Sequence, residues 1–439
     1  MEAIKAEALK YRAFVPVTVV ENLTWRQFAK VAANLPSLPG LMPEVGYSRS
    51  YEENEIMAHI VGYVGPASKK DLERLPKSNP LFQIPNFNVG KTGIERELND
   101  PLTGTASVSR QEVNASGRVM RELARTLGSP GKDIQLTVNT ALQRFSMARM
   151  NNLSASAVIL DIEKGDIHAM ASTPSFDPNK IVNGISNKDW SHLLSDEKRP
   201  LSNKCVSDAY PPGSLFKMIV AIAALRNNVV NPLEKIECKG IYEIGESKHH
   251  CWLATGHGKV NLKSAIKRSC DVYFYEIAQR VGIEKIAKAA KQFGFSESFN
   301  LPVSAISKGL IPDKAWKKSN YDKNWLLGDT LNVGIGQGYI LTTPLQIAVM
   351  TARIALGSKV YPRLINAFDG QIAPMSSAQP LNIPTSILTD IRNGMISAVN
   401  DTGGTAFKSR IFDPKFFMAG KTGTAQVRRI SALERDSFE

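Results

Sequence analysis

Tyr210-Pro211-Pro212-Gly213-Ser214-Leu215-Phe216-Lys217 is the stretch around which the rest of the chain is organised. Two prolines and a glycine stop whatever precedes it. The apolar run that follows, Met218-Ile219-Val220-Ala221-Ile222-Ala223-Ala224-Leu225, is how a buried helix begins. Ser214 then falls at a helix N-terminus, where free N–H groups and the helix dipole favour negative charge. Lys217 follows one turn later, so its amine shares a face with the Ser214 hydroxyl. A lysine entering an apolar helix is costly to bury charged, so its pKa should fall and the amine could act as a base. A serine beside such a base is an activated nucleophile.

The S-x-x-K spacing alone carries little weight. The chain repeats it at Ser195/Lys198 and Ser264/Lys267, where a capping serine and a solvated lysine explain it. Ser214 differs by the breaker before it, the apolar helix after it, and two partner motifs downstream. Those are Ser269-Cys270-Asp271 and Lys421-Thr422-Gly423-Thr424. Lys91-Thr92-Gly93 is a decoy of the latter with no strand before it.

The chain has 439 residues, enough for two or three domains. At 43% hydrophobic and 22% charged it has the composition of an ordinary folded protein. Its net charge of +13 is spread along the sequence. That permits an anionic partner, but no basic block or nucleic-acid signature singles out nucleic acid. No stretch approaches the length of a membrane span, and the charged first residues do not form a signal peptide.

Residues 1–130 read as an extended, mixed support or interaction domain without a catalytic cluster. Strands are expected over Phe14–Val20 and His59–Gly65, a short helix from Thr24 ended by Pro36 and Pro39, and turns over Gly90–Gly104. Pro130-Gly131-Lys132 predicts a hinge. From 131 to 439 the pattern predicts a second domain. A strand over Ile134–Val138 and a helix from Thr140 come first. A hairpin of Ala157–Ile162 with Ile167–Ser172 follows, closed by a turn at Glu163–Asp166. Helices are expected from Leu262 to Phe293 and from Thr343-Pro344, a turn at Asn400–Thr405, and a late strand over Phe416–Ala425 carrying the lysine motif. The fold class is α+β, a sheet with helices on both faces.

The order S-x-x-K, S-x-D, K-T-G resembles the motif set of penicillin-recognising serine enzymes. Gly334-Ile335-Gly336-Gln337-Gly338, Thr343-Pro344-Leu345-Gln346 and Gly420-Lys421-Thr422-Gly423-Thr424-Ala425-Gln426 resemble the transpeptidase domain of class B penicillin-binding proteins. Val45-Gly46-Tyr47-Ser48-Arg49 and Lys91-Thr92-Gly93-Ile94-Glu95 resemble the pedestal of their elongation-specific subgroup. Asp271 in place of Asn agrees with that subgroup. The resemblance implies a pedestal domain and a β-lactamase-like domain with a central antiparallel sheet flanked by helices. It implies peptidoglycan D,D-transpeptidation, or carboxypeptidation, through a serine acyl-enzyme during cell elongation and rod-shape maintenance.

In that resemblance Ser214 attacks the penultimate D-Ala carbonyl and Lys217 is its base. Ser269 relays a proton, and Asp271 positions Lys217 and the substrate. The N–H groups of Ser214 and Thr424 hold the oxyanion, and Lys421, Thr422, Gly423 and Thr424 line the substrate-carboxylate site. β-Lactams acylate the same serine. Implied partners are peptidoglycan stem peptides, lipid-linked precursors, a SEDS-family glycosyltransferase and other elongation-complex proteins. The family is anchored in the inner membrane with its catalytic domain in the periplasm. This sequence carries no anchor or signal peptide and has few residues after the lysine motif, so truncation at both ends, with missing C-terminal strands, is expected. Alternatives are a serine β-lactamase or β-lactam sensor, and a non-catalytic scaffold.

Cys238, Cys251, His257 and Cys270 form C-x12-C-x5-H-x12-C. Three thiolates and an imidazole make a closed zinc set, but free thiols or a disulfide fit the spacing too. Cys270 lies inside the second motif, so a metal there would pin the catalytic loop from behind. The resembled subgroup includes members with zinc in this region, which favours structural zinc. Asp or water could replace Cys238, and His249 or His250 could replace His257. Cys205 is left over as an idle or buried thiol.

Overall fold

The computed structural model describes residues 9, 17–20, 23–43, 48–76, 79–84, 87–114, 119–151 and 153–425. In the N-terminal part, Thr24 and Gln27 form a reciprocal cap on the helix Trp25–Ala33. Pro36 follows within a single 3-10 turn, Leu35–Ser37. Of the strand expected over Phe14–Val20, residues 14–16 lie outside the described residues, as do 45–47 of the pedestal motif, and 17–20 form no strand.

The strand expected over His59–Gly65 is corrected. Ala58–Val61 is helical, and only Val64–Pro66 is a strand, paired antiparallel with Asn88–Gly90. An apolar run this short fits either period, and here it closes as one helical turn, with the Gly62 N–H on the Ala58 carbonyl. Gly90–Gly104 likewise contains two short helices, Gly93–Glu97 and Asn99–Thr103. Val108–Val113 and Val119–Thr126 pair as a long hairpin.

The segment read as a hinge is pinned. The Lys132 N–H donates to the Pro101 carbonyl at 2.7 Å, and the Asp133 N–H to Asp369 Oδ1 at 2.9 Å. Packing crosses the same junction. Ile60 and Ile94 share a buried core with Ile167, Met170, Leu345 and Val349. Tyr51 exchanges backbone hydrogen bonds with the Asn179 side chain, at 2.9 Å each.

In the remainder, α1 (Thr140–Arg149) is capped by Asn139. The hairpin of β1 (Ala155–Leu160) and β2 (Ile167–Thr173) forms as read. Among the described residues it is a two-stranded sheet, and Ile134–Leu136 pairs instead with Ile365–Phe368. The core is built around α2 (Lys217–Arg226), in which every residue from Lys217 to Leu225 is buried. A helix apolar on all sides has no solvent face and must sit inside. It is wrapped by α3 (Leu262–Arg268), α4 (Asp271–Val281), α5 (Ile283–Gln292) and α9 (Thr385–Asn400). α6 (Lys314–Tyr321) and α7 (Leu327–Gly334) follow α5. α8 (Pro344–Leu356) starts on proline behind a Thr343–Gln346 capping box. No helix among the described residues is long and apolar enough to cross a membrane.

Residues 416–425 are not a strand, against expectation. Phe416 ends a 3-10 turn, and 417–425 are extended without a ladder partner among the described residues. β character needs a neighbouring strand to take its N–H and C=O groups. Here the segment is tied to α9 instead, through Gly420 N–H to the Met395 carbonyl at 3.1 Å and Asn400 Nδ2 to the Met418 carbonyl at 2.8 Å.

Candidate active site

Ser214 sits in a 3-10 turn, Gly213–Phe216, that runs directly into α2. The turn is shaped by its neighbours. Gly213 has φ +56°, and a Cβ there would meet the Thr424 carbonyl oxygen at 2.4 Å and the Thr424 nitrogen at 3.2 Å. Its N–H donates to the Gly336 carbonyl at 2.9 Å. Gly336, at φ +75°, approaches so closely that a Cβ would lie 2.0 Å from the Gly213 oxygen. Only glycine meets both demands. The serine turn is therefore clamped between the G-x-G-x-G loop and the lysine motif, three segments far apart in sequence.

Lys217 has no exposed surface. Its amine is not isolated, however. Nζ lies 2.7 Å from Asp271 Oδ1 and donates to the Ser269 carbonyl at 2.8 Å and to Ser269 Oγ at 3.2 Å. A buried ammonium is tolerated only when paired and hydrogen-bonded in this way. Asp271 opens α4, where the helix dipole favours a carboxylate. Its second oxygen accepts from the Trp252 N–H at 2.9 Å.

Ser269 is the C-cap of α3 in the left-handed region, φ 56° and ψ 40°. For a non-glycine residue this costs roughly 1–2 kcal/mol. That conformation puts its carbonyl and hydroxyl on Lys217 together. Lys421 Nζ reaches the same hydroxyl at 2.8 Å. One hydroxyl thus bridges two amines. Burial, and then the charge of Lys217, bring the Lys421 pKa down to about 7.

Thr422 Oγ1 hydrogen-bonds Thr405 Oγ1 at 2.8 Å. Gly423 lies against Leu215 and the Pro212 carbonyl. Gln337 Nε2 donates to the Thr424 carbonyl at 3.1 Å. Of the residues expected to be catalytic, Lys217, Ser269, Asp271 and Lys421 are joined directly by hydrogen bonds, and Ser214 lies on the turn that runs into Lys217. Of those expected to bind substrate, Gly423 and Thr424 pack against that turn and Thr422 is tied to Thr405. Three contributors were not foreseen: Trp252, Thr405 and the side chain of Gln337. Trp252, adjacent to Cys251, is 60% exposed, and its indole donates to the Arg268 carbonyl.

Behind these residues lie Cys238, Cys251, His257 and Cys270, all buried, with one donor atom from each within 4.8 Å of the others. His257 Nδ1 is 3.6 Å from Cys238 Sγ and 3.5 Å from Cys251 Sγ. Sulfur and nitrogen donors on a tetrahedral zinc stand about 3.5 Å apart, given their usual bond lengths. Their chemistry and separation fit that metal. No disulfide joins any of the four cysteines. A hydrogen bond with the Cys270 thiol pulls the Cys251 pKa down, and the same contact pushes Cys270 up. The Asp271 N–H points at Cys251 Sγ, at 3.4 Å. His249 and His250 stay outside: the first packs on the Tyr275 ring, and the carbonyl of the second accepts from the Tyr275 hydroxyl. Cys205 is buried elsewhere, its thiol pushed up to about 12 by burial.

The family described as penicillin binding protein transpeptidase domain matches residues 155–431. The penicillin-binding protein dimerisation domain matches residues 1–136. Peptidoglycan D,D-transpeptidase MrdA of Haemophilus influenzae is 36% identical over 445 residues, spanning 99% of this chain and 68% of that protein. The protein of the same name from Escherichia coli K12 is 33% identical, spanning 98% and 70%. Among solved structures, the complex between penicillin-binding protein (PBP2) and MreC from Helicobacter pylori superposes with a TM-score of 0.83 at 32% identity, covering 94% of this chain and 75% of that one. Pseudomonas aeruginosa PBP2 in complex with WCK 5153 gives 0.78 at 35% identity, covering 88% and 81%.

Proposed function

The chain belongs to the penicillin-binding protein transpeptidase family, and from that membership we propose how its site works: as a peptidoglycan D,D-transpeptidase that cross-links stem peptides through an acyl-enzyme on Ser214. The observation that carries the assignment of roles is Ser269 Oγ, held between the amines of Lys217 and Lys421.

An amine is a base only when neutral, and Lys217 sits in an ion pair with Asp271. Its proton therefore has to leave before Ser214 attacks. Ser269 Oγ offers the path, and Lys421, titrating near 7, is the acceptor at its far end. A substrate carboxylate arriving at Lys421, Thr422 and Thr424 favours the charged form of Lys421. Substrate binding thus draws the proton across and frees Lys217. Neutral Lys217 then takes the Ser214 proton as Oγ bonds to the penultimate D-Ala carbonyl carbon. The N–H groups of Ser214 and Thr424 hold the oxyanion, each donor worth about 2.7–4 kcal/mol. The C–N bond to the terminal D-Ala breaks, and the proton passes through Ser269 to the leaving amine. An amine of a second stem then bonds the acyl carbon, loses its proton by the same route and releases Ser214. Penicillins enter at the first step.

We also assign Cys238, Cys251, His257 and Cys270 as the ligands of a structural zinc. Bound there, the ion would lock the loop from which α4 and Asp271 start. The fit of four buried donors supports this, together with the Asp271 N–H directed at Cys251.

Cell elongation is the setting we assign. The likeness to PBP2 solved with MreC, and to a chain in a structure of a peptidoglycan synthase complex, supports partners in a wall-building assembly. A SEDS-family glycosyltransferase is the finer proposal, as is an inner-membrane location facing the periplasm.

Intact mass after incubation with benzylpenicillin tests the central reading. One penicilloyl adduct per chain is expected, and none on Ser214→Ala. An unmodified wild-type chain would overturn it.

A further inference from the structure

Three aromatic rings stand together, one of them in the loop whose Gly336 touches the nucleophile turn. Trp316 and Tyr321 of α6 have centroids 5.6 Å apart, and Tyr339, in the loop after α7, lies 5.2 Å from the first and 5.4 Å from the second. Tyr321 is 51% exposed, and the other two are half-buried. The group is braced from below. Buried Lys317 places its ammonium over the rings of Trp325 and Tyr339, at 5.9 and 5.7 Å, and pairs with Asp329. Trp325 is fixed in turn by its indole N–H donating to Thr330 at 2.8 Å. A buried lysine here has no role in the acyl-transfer steps. Its ammonium braces the Tyr339 ring from the buried side.

The position matters as much as the rings. The carbonyl of Gly336 accepts from Gly213, and the Gln337 amide reaches Thr424. Tyr339 follows within the same loop, so its backbone is at most roughly 11 Å from the residue that touches the serine turn. A stem peptide with its scissile bond at Ser214 reaches its sugar after three or four residues, roughly 10–14 Å along an extended chain. The two reaches agree.

We propose that Trp316, Tyr321 and Tyr339 stack against a hexopyranose ring of the glycan strand that carries the donor stem peptide. The proposal rests on the transpeptidase reading. A pyranose presents an apolar C–H face with a rim of hydroxyls. The inclined rings offer a concave aromatic surface to such a ring, bordered by exposed Asn320, Lys323 and Asn324.

The test compares acylation by a soluble disaccharide–pentapeptide with acylation by the same pentapeptide without sugar. Wild type is expected to favour the glycosylated substrate about tenfold in kcat/KM. Tyr321→Ala should erase that advantage through KM, while reactions with the bare peptide and with benzylpenicillin stay as in wild type. Tyr321→Phe should keep the advantage. Equal efficiency on both substrates in wild type overturns the proposal whatever the variants do, and so does an equal loss on both in Tyr321→Ala. If benzylpenicillin fails to label wild-type Ser214, the transpeptidase reading itself falls and this proposal with it.

Discussion

Lys217 Nζ lies 2.7 Å from Asp271 Oδ1, with the lysine side chain wholly out of solvent and the aspartate 13% exposed. Removing the carboxylate leaves a buried cation without its counter-charge. Asp271→Asn keeps the shape and loses the charge. It should destabilise the chain by roughly 3–5 kcal/mol and slow penicillin acylation. Chemical unfolding alongside labelling kinetics measures both, and a stability unchanged from wild type would refute the pairing.

Acylation should also depend on pH through Lys421. Below a pKa of about 7 Lys421 is charged in the free enzyme and has no vacancy for the proton that Lys217 must shed. The second-order acylation rate is expected to rise with pH up to about 7 and then level off as Lys421 loses its proton. In Lys421→Arg the acceptor never becomes neutral, so the limb should vanish and the rate fall roughly 100-fold or more. A pH series with labelled penicillin decides it. A limb at the same pH in the arginine variant would contradict the relay.

The purified protein should contain about one zinc per chain, and Cys251→Ser should lose it. Stripping the metal should lower Tm by roughly 5 °C or more and reduce acylation, because Asp271 loses its anchorage. Elemental analysis and melting curves are the measurements. A metal-free wild type with normal melting would remove the assignment.

Gly336→Ala should cost roughly 2 kcal/mol or more, since a methyl group there would lie 2.0 Å from the Gly213 oxygen. Displacing Gly213 displaces Ser214, so labelling should fall more than stability alone explains. Normal labelling in a folded Gly336→Ala chain would show that the clamp does not set the serine turn.

Much of the site could be read from the sequence because its chemistry is local. Ser214 and Lys217 lie one turn apart, and the apolar run behind them can only be buried. The Cys/His cluster around Cys270 was readable as residue types, though nothing in the spacing fixed which histidine would turn inward. What stayed hidden depends on distant partners. The hydroxyl of Ser269 meets two amines only because its backbone is left-handed, and no pattern in Ser269-Cys270-Asp271 announces that. Trp252 reaches Asp271 through a backbone N–H, which any residue could supply. The segment around Lys421 has the residues of a strand, but strand structure belongs to a pair of segments and not to one. Ala58–Val61 went the other way, because four residues are too few to tell a helical period from a strand one.

The shared core of Ile60 and Ile94 with Ile167 and Val349 has a mechanical consequence. With the Lys132 and Asp133 backbone fastened as well, the described residues at this junction tie the two parts together. A load applied to the pedestal is transmitted to the strand carrying Ile167 instead of being lost in a slack connection. Melting should accordingly proceed in a single cooperative step, with neither half surviving the loss of the other.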